Sequence, residues 1–150
     1  MNTYQRLLCF MKVLVQNMGI LHRNLIEDEA WFANHKQIDK WQSELTEQTD
    51  DLIETGIALG FKEPTINEAV MQFSTDVLSA DKRELKETFG ICLRSFRDLA
   101  GYMQASEAEV PAGVQNKLQE YEYYWNKEAN YKLAAALGER AEAGRMNKDE

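Results

Sequence analysis

The sequence predicts an all-α protein: four long helices in a bundle, with one short helix in the connection between the second and the third. Three observations carry this. Glycine and proline are scarce, eight and two in 150 residues, so little interrupts a helix. Apolar residues recur at alternating steps of three and four along four long stretches, the period of a helix that buries one face. The segment between the second and third stretches is long while the other two connections are short. That lets helices two and three run parallel and makes the one–two and three–four pairs antiparallel.

The first helix spans 3–25, with Tyr4, Leu7, Met11, Leu14, Met18, Leu21 and Leu25 in its stripe and Leu8 and Val15 widening it. At about 100° per residue His22 falls within that stripe, facing or bordering the core. Residues 26–29 connect, and Asp28 is the expected N-cap of a second helix over 29–59, buried through Trp31, Ile38, Trp41, Leu45, Leu52 and Leu59. Gly60 ends it and Pro64 follows. Thr65 with Glu68 three positions on has capping-box spacing and opens a short helix over 66–73. Asp81 with Glu84 marks the next start. That helix runs to 104, with Leu85, Phe89, Cys92, Phe96, Leu99 and Met103 inward. Pro111 suits the first turn of the fourth, which buries Val114, Leu118, Tyr121, Trp125, Ala129, Leu133 and Ala136 and stops at Gly138. The bundle is thus expected over 1–138, with a polar tail over 139–150.

The net charge of −8 disfavours non-specific nucleic-acid binding, which needs clustered Lys and Arg, and suits a protein that handles cations. Cys9 and Cys92 are in no metal or redox spacing and read as small core residues of a reducing compartment, the cytoplasm. The apolar run at 7–10 is followed by Lys12, Gln16, Asn17, His22 and Arg23, so neither a signal peptide nor a membrane span is expected. No phosphate loop and no nucleophile–His–acid set is found.

The chemistry concentrates on the second helix. His35, Asp39, Asp50 and Glu54 fall within an arc of roughly 100°, beside the core stripe and not in it. Two pairs at i,i+4 are centred about 15 residues apart, roughly 22 Å along the axis. Bonds from N and O donors to a transition metal are about 2 Å, so one ion cannot use both pairs of one helix. If two copies of the helix pack antiparallel about a twofold axis near 44–45, His35/Asp39 of one faces Asp50/Glu54 of the other, giving two equivalent sites per dimer. Ser43 and Thr46 between the pairs allow close approach. His22 could join the His35/Asp39 side. Two imidazoles with three carboxylates suit Fe(II), Mn(II) or Zn(II) rather than calcium or a soft copper site. The bland readings are a core histidine at 22 and a solvated acidic face on helix two. Against them, both histidines of the chain point into one constellation.

These residues resemble the Dps (DNA-binding protein from starved cells) mini-ferritins. That family carries a His on the first helix, an aromatic pair followed by His-x-x-x-Asp at the start of the second, and Asp-x-x-x-Glu after ten more residues. The matching pieces are His22, Trp31-Phe32, His35/Asp39 and Asp50/Glu54, with Ala58-Leu59-Gly60 and Pro64-Thr65 resembling the family's exit from helix two. The resemblance implies a ferritin-like bundle and an iron site shared between subunits with His22, His35, Asp39, Asp50 and Glu54 as ligands, Zn or Mn being possible substitutes. It also implies a hollow dodecamer that oxidises Fe(II) with hydrogen peroxide and stores ferric mineral, protecting against oxidative stress.

The sequence departs from that pattern in places. The His22-to-His35 interval is one residue longer than the family's, Arg23 stands for its usual Trp, Glu27 or Asp28 stands near its usual Gly, and Thr55 stands for the Arg that often follows its second-helix Glu. The Glu-x-x-His motif of larger ferritins is absent. The termini offer no basic arm: Arg140, Arg145 and Lys148 are outnumbered by Glu139, Glu142, Asp149 and Glu150, so no strong DNA binding is expected. Trp31 and Trp41 could intercept oxidising radicals, but both fit the core stripe, and the aromatic-rich fourth helix reads as core and subunit contacts. The competing reading of the whole is a ferritin-like scaffold or interaction protein with vestigial metal ligands.

Overall fold

The protein is described by a computed structural model over residues 1–139. Its long helices are α1 (Thr3–Arg23), α2 (Trp31–Ala58), α4 (Leu85–Ser106) and α5 (Ala112–Lys127), with the short α3 (Ile66–Gln72) in the long connection. After α5 the helix continues through a π-helical segment, Glu128–Leu133, into the three-residue α6 (Ala134–Ala136). The polar tail expected over 139–150 lies, beyond Glu139, outside the described residues.

The order of contacts fixes the topology. Tyr4 at the start of α1 donates its hydroxyl to the carbonyl of Leu52 near the end of α2, so the two helices run antiparallel. The chain then returns along the whole bundle. Buried Asn17 straps the returning segment, donating to the carbonyl of Asp76 at 2.7 Å and accepting from the amide of Leu78 at 3.0 Å. Leu25 and Arg83 then form a parallel β-bridge, with the Ile26 amide donating to Arg83 at 2.9 Å and the Arg83 amide to Asn24 at 3.1 Å. The start of α4 therefore lies beside the end of α1, and α4 runs parallel to α2. Glu109, just before α5, accepts from the amides of Thr3 and Tyr4 and so caps α1. Burial raises its carboxyl pKa, but those donors outweigh burial and hold it below the ordinary range.

A continuous core fills the bundle. Leu7, Met11, Met18, Ile38, Trp41, Leu45, Phe96, Leu118 and Trp125 are among its fully buried members. Cys9 and Cys92 are free and buried, and burial pushes the Cys92 thiol up to about 12, out of reach of thiolate chemistry at neutral pH. No helix among the described residues is long and apolar enough to cross a membrane.

Some boundaries differ from the sequence expectation. The capping box at Thr65/Glu68 forms. Gly60, at φ +88°, closes α2 in a Schellman arrangement, with the Phe61 amide on the carbonyl of Gly56 at 2.8 Å. Asp28, by contrast, bonds the amide of Ala30 two residues on, leaving α2 without a side-chain cap. The third long helix opens at Leu85, not at 81, because Asp81 accepts from Ser79 and Arg83 is drawn into the bridge. Pro111 is the N-cap of α5 rather than part of its first turn. Ala136 is exposed, while Ala134 is buried and Leu137 packs on the core. The wider π turn inserts about one residue, which moves the buried face on from 136.

Candidate metal centre

The last turn of α1 and the first turns of α2 meet where the chain reverses through 24–30. Helix ends leave backbone carbonyls without helical partners. One of them, the carbonyl of His22, accepts from His35 Nδ1 at 3.1 Å, so the imidazole of α2 closes the end of α1. Trp31 stacks on the His35 ring, with centroids 4.3 Å apart and planes 20° apart. His22, half-buried, places its Nδ1 3.0 Å from Gln42 Oε1. Both partners are carbonyl-type oxygens that can only accept, so in the neutral imidazoles both Nδ1 atoms carry the proton and both Nε2 atoms are left with a lone pair. Those two Nε2 atoms face each other at 3.1 Å.

Two lone pairs so close repel unless an electrophile lies between them. With metal–nitrogen bonds of about 2.0–2.1 Å, a 3.1 Å separation corresponds to an angle of about 100° at the ion, within the range for octahedral and tetrahedral sites. Asp39 Oδ1 is 3.9 Å from His22 Nε2, on a side chain 57% exposed and free to swing. His22, His35 and Asp39 are therefore neighbours. Asp50 and Glu54 are exposed on the same helix, and Asp50 is about 16 Å of axial rise from Asp39. Among the described residues, no group of three or more His, Cys, Asp and Glu side chains of one chain is placed to hold a metal ion. The chain presents an imidazole pair with one nearby carboxylate, and a separate carboxylate pair.

Beside Asp50 runs an open groove of about 380 Å³, lined also by Lys12, Val15, Thr46, Thr49, Ile53 and Ile66. Ile57, Ile66 and Met71, at the end of α2 and on α3, are more than half exposed. On its other flank α2 is tied to α5: Asp51 accepts from Lys117 at 2.7 Å and from the hydroxyl of Tyr121. Burial alone would raise the Asp51 pKa, but those two partners outweigh it and leave the carboxyl below its ordinary value.

Sequence reasoning missed Gln42, which lies seven residues, close to two turns, beyond His35 and so on the same face. It also missed two buried polar groups between α2 and the fourth helical stretch. Gln48 accepts from Trp125 Nε1 at 2.7 Å, and Glu128 accepts from Lys132 at 3.0 Å and from Trp41 Nε1 at 3.4 Å. These bonds give the two buried indoles their partners.

No family model matches the sequence, and no curated protein matches it. Two solved structures share its architecture. The tetragonal form of Mycobacterium smegmatis Dps matches with a TM-score of 0.68 and 13% identity over 84% of this chain and 82% of that one. A Dps protein from Bacillus brevis matches with a TM-score of 0.70 and 18% identity over 91% of this chain and 99% of that one. At such identities the likeness is one of fold, the ferritin-like bundle that Dps proteins have.

Proposed function

We propose that this chain, folded as the Dps proteins are, is an iron-binding ferroxidase that oxidises Fe(II) with hydrogen peroxide and stores ferric iron inside an oligomeric shell. The observation that carries the reading is the His22–His35 pair, two Nε2 lone pairs 3.1 Å apart with each Nδ1 committed to an acceptor. Iron here is the substrate. His22, His35 and Asp39 would bind it from one side, and Asp50 and Glu54 of the partner subunit from the other, across antiparallel copies of α2. The open groove beside Asp50 and the exposed Ile57, Ile66 and Met71 offer apolar surface that a second copy on this face would cover.

The carboxylates are hard donors that favour the ferric product. A second, weaker iron would bind beside the first. Each Fe(II) gives one electron. Hydrogen peroxide takes both, with two protons, and leaves as two waters, so no hydroxyl radical is released.

The test is Fe(II) oxidation followed by absorbance, under air and with peroxide, for the wild type and the His35→Ala/Asp39→Ala double variant. The variant is expected to be slower by at least about tenfold, since even outer-shell changes at metal sites cost that much. Equal rates would sink the reading in favour of a scaffold with vestigial ligands. Light scattering should show an assembly larger than a dimer, and a stable monomer would defeat the shared site whatever the chemistry.

A further inference from the structure

An imidazole can ligate a metal only through the nitrogen that carries no proton, and the hydrogen bond at the other nitrogen decides which one that is. For His35 the backbone makes the choice, because its Nδ1 faces the carbonyl of His22. For His22 the choice falls to a side chain. Gln42 Oε1 stands 3.0 Å from His22 Nδ1.

The surroundings of Gln42 leave room for it there. It lies two turns beyond His35 on α2, on a helix that continues unbroken past it. Across from it on α1 is buried Gly19, where an added Cβ would come within 3.1 Å of Gln42 Nε2 and 2.9 Å of a guanidinium nitrogen of Arg23. The missing side chain at 19 leaves the space in which the amide lies. With its nitrogen toward Gly19, the amide turns its oxygen to His22.

We infer that Gln42 is a positioning residue for the metal centre: its amide oxygen fixes His22 as the Nδ1–H tautomer and aims His22 Nε2 at the ion that His35 Nε2 also faces. This rests on the ferroxidase reading for what the site binds, but not for the tautomer, which belongs to the metal-free chain. Gln42 touches neither iron nor oxidant and acts only through His22.

The experiment uses the full chain, with Co(II) as a spectroscopic probe, and compares wild type with Gln42→Leu and Gln42→Glu. Leu keeps the bulk and removes the acceptor, while Glu keeps the acceptor. Two readouts are taken at one fixed pH. Side-chain nitrogen NMR of the metal-free protein should show His22 as Nδ1–H in the wild type and in Gln42→Glu, and a mixture of tautomers in Gln42→Leu. Visible titration with Co(II) should show affinity about 10- to 100-fold weaker for Gln42→Leu. Gln42→Glu should bind within a few-fold of wild type or more tightly. Helical circular dichroism and particle size should be the same for all three, which separates positioning from folding.

Equal Co(II) affinity in Gln42→Leu and wild type overturns the inference. So does equal impairment of the Leu and Glu variants, or a wild-type His22 protonated at Nε2. A wild-type chain that shows the Nδ1–H tautomer yet takes up no Co(II) overturns instead the metal reading on which the site depends.

Discussion

At the scale of single residues, the environment of each polar group decides what it can do. His22 and His35 become a matched pair because each has one nitrogen satisfied and one left over. Their spacing in the sequence placed them near each other but carried nothing about tautomers, which depend on a neutral glutamine and a helix-end carbonyl. Glu122 on α5 makes the same point in a different currency. Burial, and then a hydrogen bond shared with the carboxyl of Glu107, push its pKa from 4.5 up to about 7. One oxygen of Glu107 is itself buried without another partner. The folded chain thus keeps this proton at a pH where the unfolded chain releases it. Its stabilising contribution is full below about pH 4.5 and is lost as pH rises through about 7. Glu122→Gln, which keeps a hydrogen on the side chain at every pH, should therefore melt a few degrees above wild type at pH 8 and close to it at pH 5. Parallel melting curves at the two pH values would show that the pair does not share a proton.

At the scale of elements, helices were legible from sequence wherever the deciding groups are close along the chain. The box at Thr65/Glu68 and the left-handed glycines at 60 and 138 are local devices, and each sits where its motif put it. The expected starts near 28 and 81 gave way because their acids are used elsewhere, Asp28 on the amide of Ala30 and Asp81 on Ser79, while the Leu25–Arg83 bridge keeps the chain extended. No window of neighbouring residues contains that bridge. The π turn at Glu128–Leu133 escaped the same way, since its buried glutamate answers to Trp41 on another helix. A further element-level feature is the contact of α1 with α2. A Cβ at Gly56 would lie 2.9 Å from the ring of Tyr4, which is fully buried and whose hydroxyl is bonded to Leu52. Helix propensity changes little from Gly to Val, so overpacking decides the sign. Gly56→Val should destabilise by about 1–3 kcal/mol in chemical denaturation. An unchanged midpoint would mean that the two helices can part there at no cost.

At the scale of the whole molecule, the face of α2 that bears the four acidic and histidine positions is divided by its own length. One end holds His35 and Asp39 with His22 beside them, and the other holds exposed Asp50 and Glu54. The division was readable from an axial rise of about 1.5 Å per residue, whereas the proposed joining surface would lie between copies and is not written in any one chain. A complementation experiment addresses it directly. Let one variant carry His35→Ala/Asp39→Ala and another Asp50→Ala/Glu54→Ala. Each alone should be inactive, because every site in its assemblies lacks one half. In a mixed dimer, one of the two symmetry-related sites loses both halves and the other regains both. Random co-assembly makes half of the dimers mixed, so co-expressed variants should recover about a quarter of the wild-type Fe(II) oxidation rate. Simply mixing the purified, already assembled variants should recover none. If the ligands worked within a single chain, co-expression would also restore nothing, and the twofold site would have to be abandoned even if the wild type oxidises iron.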